Sequence, residues 1–185
     1  MDEIIKLQPE ELYQYIKKYI KYGFVDKNNC KYYIKDFENI NIDELYTLQS
    51  PEEIIRNKCA WCWDTVELIR YYMNVNKIYC ETYYMEYKDD TLNFHHTHTF
   101  IIYNKDQKWY NIEDNSSNNE SGIFEYISKE EVIKTIRESF KEYIKELLLN
   151  KYSDEFFIIN KYDVPKFGIS AEEFQEYCKK EGITN

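Results

Sequence analysis

Apolar residues in this chain repeat at helical spacing near both ends and alternate, as in strands, through the middle. Leu12, Ile16 and Ile20 recur every fourth position behind Pro9-Glu10-Glu11, so a helix is expected over residues 9–22, with Gly23 ending it. From Phe24 to Leu48 the short mixed segments have no clean period and read as loop with one strand. Ser50-Pro51-Glu52-Glu53 has the spacing of a capping box, in which serine and glutamate satisfy each other's backbone N–H groups, so a short helix should run to about Lys58. The same S-x-x-E device recurs at Ser128 and Ser170. The first precedes Val132, Ile136, Phe140 and Ile144, the second Phe174, Tyr177 and Cys178, which predicts two more amphipathic helices.

Another helical stripe, Val66, Ile69, Tyr72 and Met73, continues from Cys62 and turns that thiol toward the protein interior. After it come residues 78–87, 97–103 and 108–114, all rich in β-branched and aromatic side chains, which read as three strands. Asp89-Asp90 and Asn104 to Gln107 supply turn chemistry, and connections that short favour antiparallel neighbours. The fold class expected is α+β, a helix packed on an antiparallel sheet with flanking helices. Residues 1–185 show no repeat or linker that would divide them, so one domain is expected. The polar run from Asn115 to Gly122 is expected to be a mobile loop bordering the strand before it.

Composition narrows the function classes. With 43% hydrophobic and 18% aromatic residues, the chain is suited to a packed core rather than to disorder. A net charge of −10 repels phosphate backbones, and no Lys/Arg cluster stands clear of acids along the sequence, which argues against a nucleic-acid partner. No apolar run reaches the roughly 20 residues needed to cross a bilayer, and the N-terminus lacks the pattern of a signal peptide, so no membrane partner and a cytoplasmic location are expected. Five cysteines are an odd number and fit reduced thiols. Cys30, Cys80 and Cys178 read as small apolar fillers.

The chemistry centres on Cys62. A thiol at the first position of a helix feels the unsatisfied N–H groups of the first turn, which favour the anion, and a nearby imidazolium favours it further. Period-two alternation puts His98 with Phe100 and Ile102 on one strand face, and Trp109, Asn111 and Glu113 on one face of the next strand. Glu113 can therefore orient His98 while the other ring nitrogen faces the thiol; Asp114, pointing the opposite way, is the alternative acid. A competing reading is C-A-W-C, from Cys59 to Cys62, which has the spacing of zinc and redox sites. His95 and His96 read as loop or strand-edge residues. Trp61 and Trp63 flank the thiol and are candidates for cleft walls or rim packing. Gln49 is a candidate oxyanion donor beside the backbone N–H of Cys62.

The ordered segments C-W-D-T-V-E-L-I-R, H-T-F-I-I-Y and K-W-Y-N-I-E resemble the core of the transglutaminase-like superfamily, whose fold is papain-like. The resemblance covers residues 58 to 115. With its flanks it extends over about residues 22 to 180 and is similar to small bacterial members of that superfamily. It implies Cys62 as nucleophile, His98 as general base and acid, and Glu113 as orienting carboxylate. Two departures are Ala60, where the family usually has glycine, and Glu113, where it usually has aspartate. The implied activity is cysteine-dependent acyl transfer on a peptide, protein or small amide or ester, either a peptidase or amidase or a transglutaminase-type reaction, with no metal or other cofactor. The alternatives are a noncatalytic binding or scaffold module and a small zinc protein using Cys59 and Cys62.

Overall fold

The computed structural model describes residues 1, 3–113 and 121–180. Helix α1 (Pro9–Tyr19) leads into β1 (Lys21–Val25) and β2 (Lys31–Tyr33); a 3-10 turn (Ile34–Asn39), α2 (Ile42–Leu45) and α3 (Pro51–Asn57) follow. Then come β3 (Cys59–Ala60), α4 (Cys62–Val75), β4 (Cys80–Asp89), β5 (Phe94–Lys105), β6 (Lys108–Glu113), β7 (Gly122–Tyr126), α5 (Lys129–Leu148), β8 (Phe157–Tyr162) and α6 (Ala171–Lys180). This is an α+β arrangement. The expected strands are present, together with β7 and β8, which pattern alone did not indicate.

Five strands form an antiparallel sheet in the order β7-β6-β5-β4-β8. Its two faces carry separate cores. Tyr83, Met85, Phe100 and Ile102 pack on one face against Val132, Ile136, Phe140 and Ile144 of α5. Tyr84, Ile101, Tyr103 and Ile112 pack on the other against α4, which in turn meets Leu12 and Ile16 of α1 and Phe24 of β1. The alternation along β4 and β5 is thus the period-two rule acting on a sheet covered on both sides.

Because α4 is enclosed by the sheet on one side and α1, β1 and α6 on others, every residue from Cys62 to Arg70 is buried, not only the expected stripe. Buried charges in a helix need partners. Glu67 meets Arg70 at 3.1 Å and accepts from the Tyr162 hydroxyl at 3.1 Å, while Arg70 donates to Thr82 Oγ1. Even so, burial outweighs these contacts and raises the Glu67 carboxyl to about 7.

Two expectations in the N-terminal third are corrected. α1 ends at Tyr19, and Gly23 lies inside β1 rather than capping a helix. The glycine is required by a close approach: a Cβ there would sit 2.2 Å from the Tyr32 carbonyl oxygen and 3.2 Å from Cys59 Sγ. The segment read as loop with one strand carries β2 and the end of β1, which pair antiparallel, and β1 also pairs in parallel with β3. This small sheet brings the chain into position just before Cys62. All three serines cap as the sequence indicates, Ser50, Ser128 and Ser170 accepting from the N–H groups of Glu53, Glu131 and Glu173, but the reciprocal half of the box closes only at Ser50 and Ser170; the Glu131 carboxylate instead accepts from the Ile127 N–H at 2.8 Å. Among the described residues, no helix is long and apolar enough to cross a membrane.

Candidate active site

Cys62 is the first residue of α4, and a buried carboxylate holds that helix start in place. Asp64 Oδ2 accepts from the Trp61 N–H at 2.9 Å, and Asp64 Oδ1 accepts from the Gln49 N–H at 2.9 Å and the Tyr46 hydroxyl at 2.8 Å. Burial nevertheless raises its carboxyl to about 6 against the pull of these bonds. Asp64 was not singled out by sequence reasoning. Its signal is an acid three positions after the residue that opens a helix, the reciprocal half of a capping box. The N–H groups of Cys62 and Trp63, in the first turn, have no acceptor within the helix and are suited to an oxyanion.

His98 comes to Cys62 from β5. β6 pairs with β5 only between Ile102↔Asn111 and Lys105↔Lys108. Beyond that the Asn111 side chain donates to the Ile101 carbonyl at 3.1 Å, taking a place a ladder partner would otherwise fill. Continued register would set Glu113 opposite Phe100, one diagonal step from His98 on the same face. The side chains meet across that diagonal, with His98 Nε2 3.3 Å from Glu113 Oε2. The same ring also hydrogen-bonds with Cys62. The His98 ring also lies against Phe140 of α5, with ring centres 6.4 Å apart.

The electrostatics favour a charged imidazole. Burial opposes the imidazolium, but the Glu113 carboxylate and a hydrogen bond with Cys62 outweigh it and raise His98 to about 10. His96, two residues away, goes the other way: burial, then the charge of His98 and His95, lowers it to about 4. Two histidines on one strand are thus shifted in opposite directions, His98 toward the charged ring and His96 toward the neutral one, a distinction the sequence does not carry. His95 and His96 both belong to β5, not to a loop; His95 Nε2 lies 2.8 Å from Glu86 Oε1, and His96 packs against Phe140 and Tyr143.

The remaining candidates divide. Gln49 is corrected as an oxyanion donor: its amide nitrogen donates to the Cys59 carbonyl at 3.0 Å and to Asp64 Oδ2 at 3.3 Å, and its oxygen accepts from Asn57 at 2.8 Å. That amide braces the approach to α4 and has no hydrogen free. Trp61 packs between Tyr22 and Phe37, and Trp63 against Phe174 and Tyr46, so both are chiefly packing residues. They also border a cavity of about 250 Å³ shared with His95, His96 and Thr97. Asp114 lies outside the described residues, as does most of the polar run after it.

Cys59 and Cys62 are both free thiols. The Cys59 thiol is fully buried, points to the Phe24 carbonyl at 3.7 Å, and is raised by burial to about 11. Among the described residues no three His, Cys, Asp or Glu side chains are grouped to hold a metal ion. Cys178 is buried as expected, but Cys30 is exposed and is not a core filler. Neither protein-family models nor curated proteins give a match to this chain.

Proposed function

We propose that the protein is a cysteine-dependent acyl-transfer enzyme with a papain-like, transglutaminase-like core. The observation that carries this reading is the placement of His98, whose Nε2 lies 3.3 Å from Glu113 Oε2 and whose ring, favoured as an imidazolium, also hydrogen-bonds with Cys62. A thiolate beside such a cation attacks an amide or ester carbonyl carbon and forms a C–S bond, and the oxyanion is met by the N–H groups at the start of α4. His98 gives its proton to the leaving nitrogen or oxygen as that bond breaks. Water or an amine then attacks the thioester, His98 takes a proton from it, and the thiolate is restored. Glu113 keeps the ring in the required orientation throughout.

Alkylation with iodoacetamide tests the reading. At about pH 6 an ordinary exposed thiol is almost wholly protonated and slow to react. Cys62 should label faster than Cys30, although Cys30 is the exposed thiol, and His98→Ala should abolish that advantage. Labelling of Cys62 no faster than Cys30 would refute acyl transfer. One observation favours a second reading, a noncatalytic module: Cys62 is only 8% exposed, and the cavity against it, about 10 Å³, is on the scale of one water molecule. An unreactive Cys62 in the intact fold is the result that reading requires.

A further inference from the structure

Four lysines of the described residues gather in one groove near this site. Lys17 and Lys18 in the last turn of α1, Lys21 on β1 and Lys35 in the turn after β2 line one open groove of about 620 Å³ with Tyr22 and Tyr33. No carboxylate of the described residues lines it, and the neighbouring Asp36 accepts the Tyr33 N–H at 2.8 Å. The dipole of α1 accounts for cations at its C-terminal end. It does not account for Lys21 and Lys35, which reach the same groove from other elements of a chain with net charge −10. Like charges gathered in one cleft raise the local concentration of anions.

The groove and the small cavity against Cys62 share one wall residue. Tyr22 lines both, and its ring stacks on Trp61 with centres 5.3 Å apart. Tyr22 is the β1 partner of Ala60, two residues before Cys62. Ile20 and the exposed Ile34 interleave apolar surface with the lysines, which suits a polypeptide carrying both carboxylates and apolar side chains. A nucleic acid would instead bring a continuous line of phosphates against the negative remainder of the protein.

We propose that this groove binds an acidic peptide segment, so that the substrate of the Cys62 site is a polypeptide with Asp and Glu residues next to the attacked amide. The substrate assignment rests on the acyl-transfer reading; the binding does not.

The test uses the full chain carrying Cys62→Ala and fluorescence anisotropy with a labelled peptide of Glu, Asp and apolar residues. The controls are its Gln/Asn counterpart and a single-stranded oligonucleotide. The acidic peptide should bind at least about tenfold more tightly than the neutral one, weaken as salt rises to about 0.5 M, and lose about tenfold in affinity in Lys18→Glu/Lys35→Glu. If charge reversal lowers Tm, the Lys18→Gln/Lys35→Gln pair makes the same comparison. Equal binding of the neutral peptide, indifference to the lysine changes, or tighter binding of the oligonucleotide overturns the proposal. Acidic-peptide binding with an unreactive Cys62 in the unsubstituted protein keeps the groove and refutes acyl transfer. A reactive Cys62 with no preference for acidic peptide refutes the groove alone.

Discussion

Replacing Glu113 by Gln preserves the length of the side chain and removes the charge that most strongly favours the His98 imidazolium. In the folded protein that ring is raised from 6.5 to about 10 against the cost of its burial. The difference corresponds to roughly 5 kcal/mol of preference for the charged over the neutral ring. With Glu113→Gln only the Cys62 interaction opposes burial, and His98 should fall by at least about two pH units, toward or below an ordinary histidine. Two assays report the change. A pH titration of the labelled histidine rings by NMR reads His98 directly, with His96 as the neutral neighbour. The rate of Cys62 alkylation against pH reads the fraction of the sulfur present as thiolate. Stability should follow with a definite sign: because the folded value lies above the unfolded one, the pair stabilises fully below about pH 6.5, and that stabilisation is lost as pH rises through about 10. Glu113→Gln should flatten this decline. A wild-type His98 titrating near 6.5, or one unmoved by the substitution, would refute the electrostatic reasoning.

Two further outcomes follow from the packing. Asp64 and Glu67 are raised to about 6 and about 7, so the stability they contribute is complete below their unfolded values and is lost as pH rises through the folded ones. Asp64→Asn should therefore cost more at pH 5 than at pH 8, by about 1 kcal/mol in urea denaturation, and equal costs at both would contradict the assignment. Gly23→Ala forces a Cβ against the Tyr32 carbonyl oxygen, and should destabilise by about 3 kcal/mol, a drop in Tm of roughly 6–12 °C in a thermal melt. An unchanged Tm would mean that the β1–β2 pair yields without cost.

Much of the local architecture is legible in the chain because its signals lie within a few residues of one another. The three serine N-caps, the four-residue repeat of Val132 to Ile144 and the alternation through Phe100 and Ile102 each specify an element before any partner is known. The start of α4 at Cys62 is legible in the same way. β8 is harder to read, since its identity depends on lying against β4, more than seventy residues earlier. Gly23 is ambiguous for a related reason: glycine is compatible both with a helix end and with a close strand crossing, and only the Tyr32 backbone beside it distinguishes the two.

From the sequence alone came the order of thiol, histidine and acid, the helix that presents Cys62, and the strand faces that place His98 and Glu113 on one side. Periodicity and capping act over a few residues and need no distant partner. Tertiary structure decided the charge of His98, the neutrality of His96, the engagement of Gln49 away from the cleft and the gathering of four lysines into one groove. Those properties arise from desolvation and from Coulomb forces between groups far apart along the chain, and neither exists until folding brings them together.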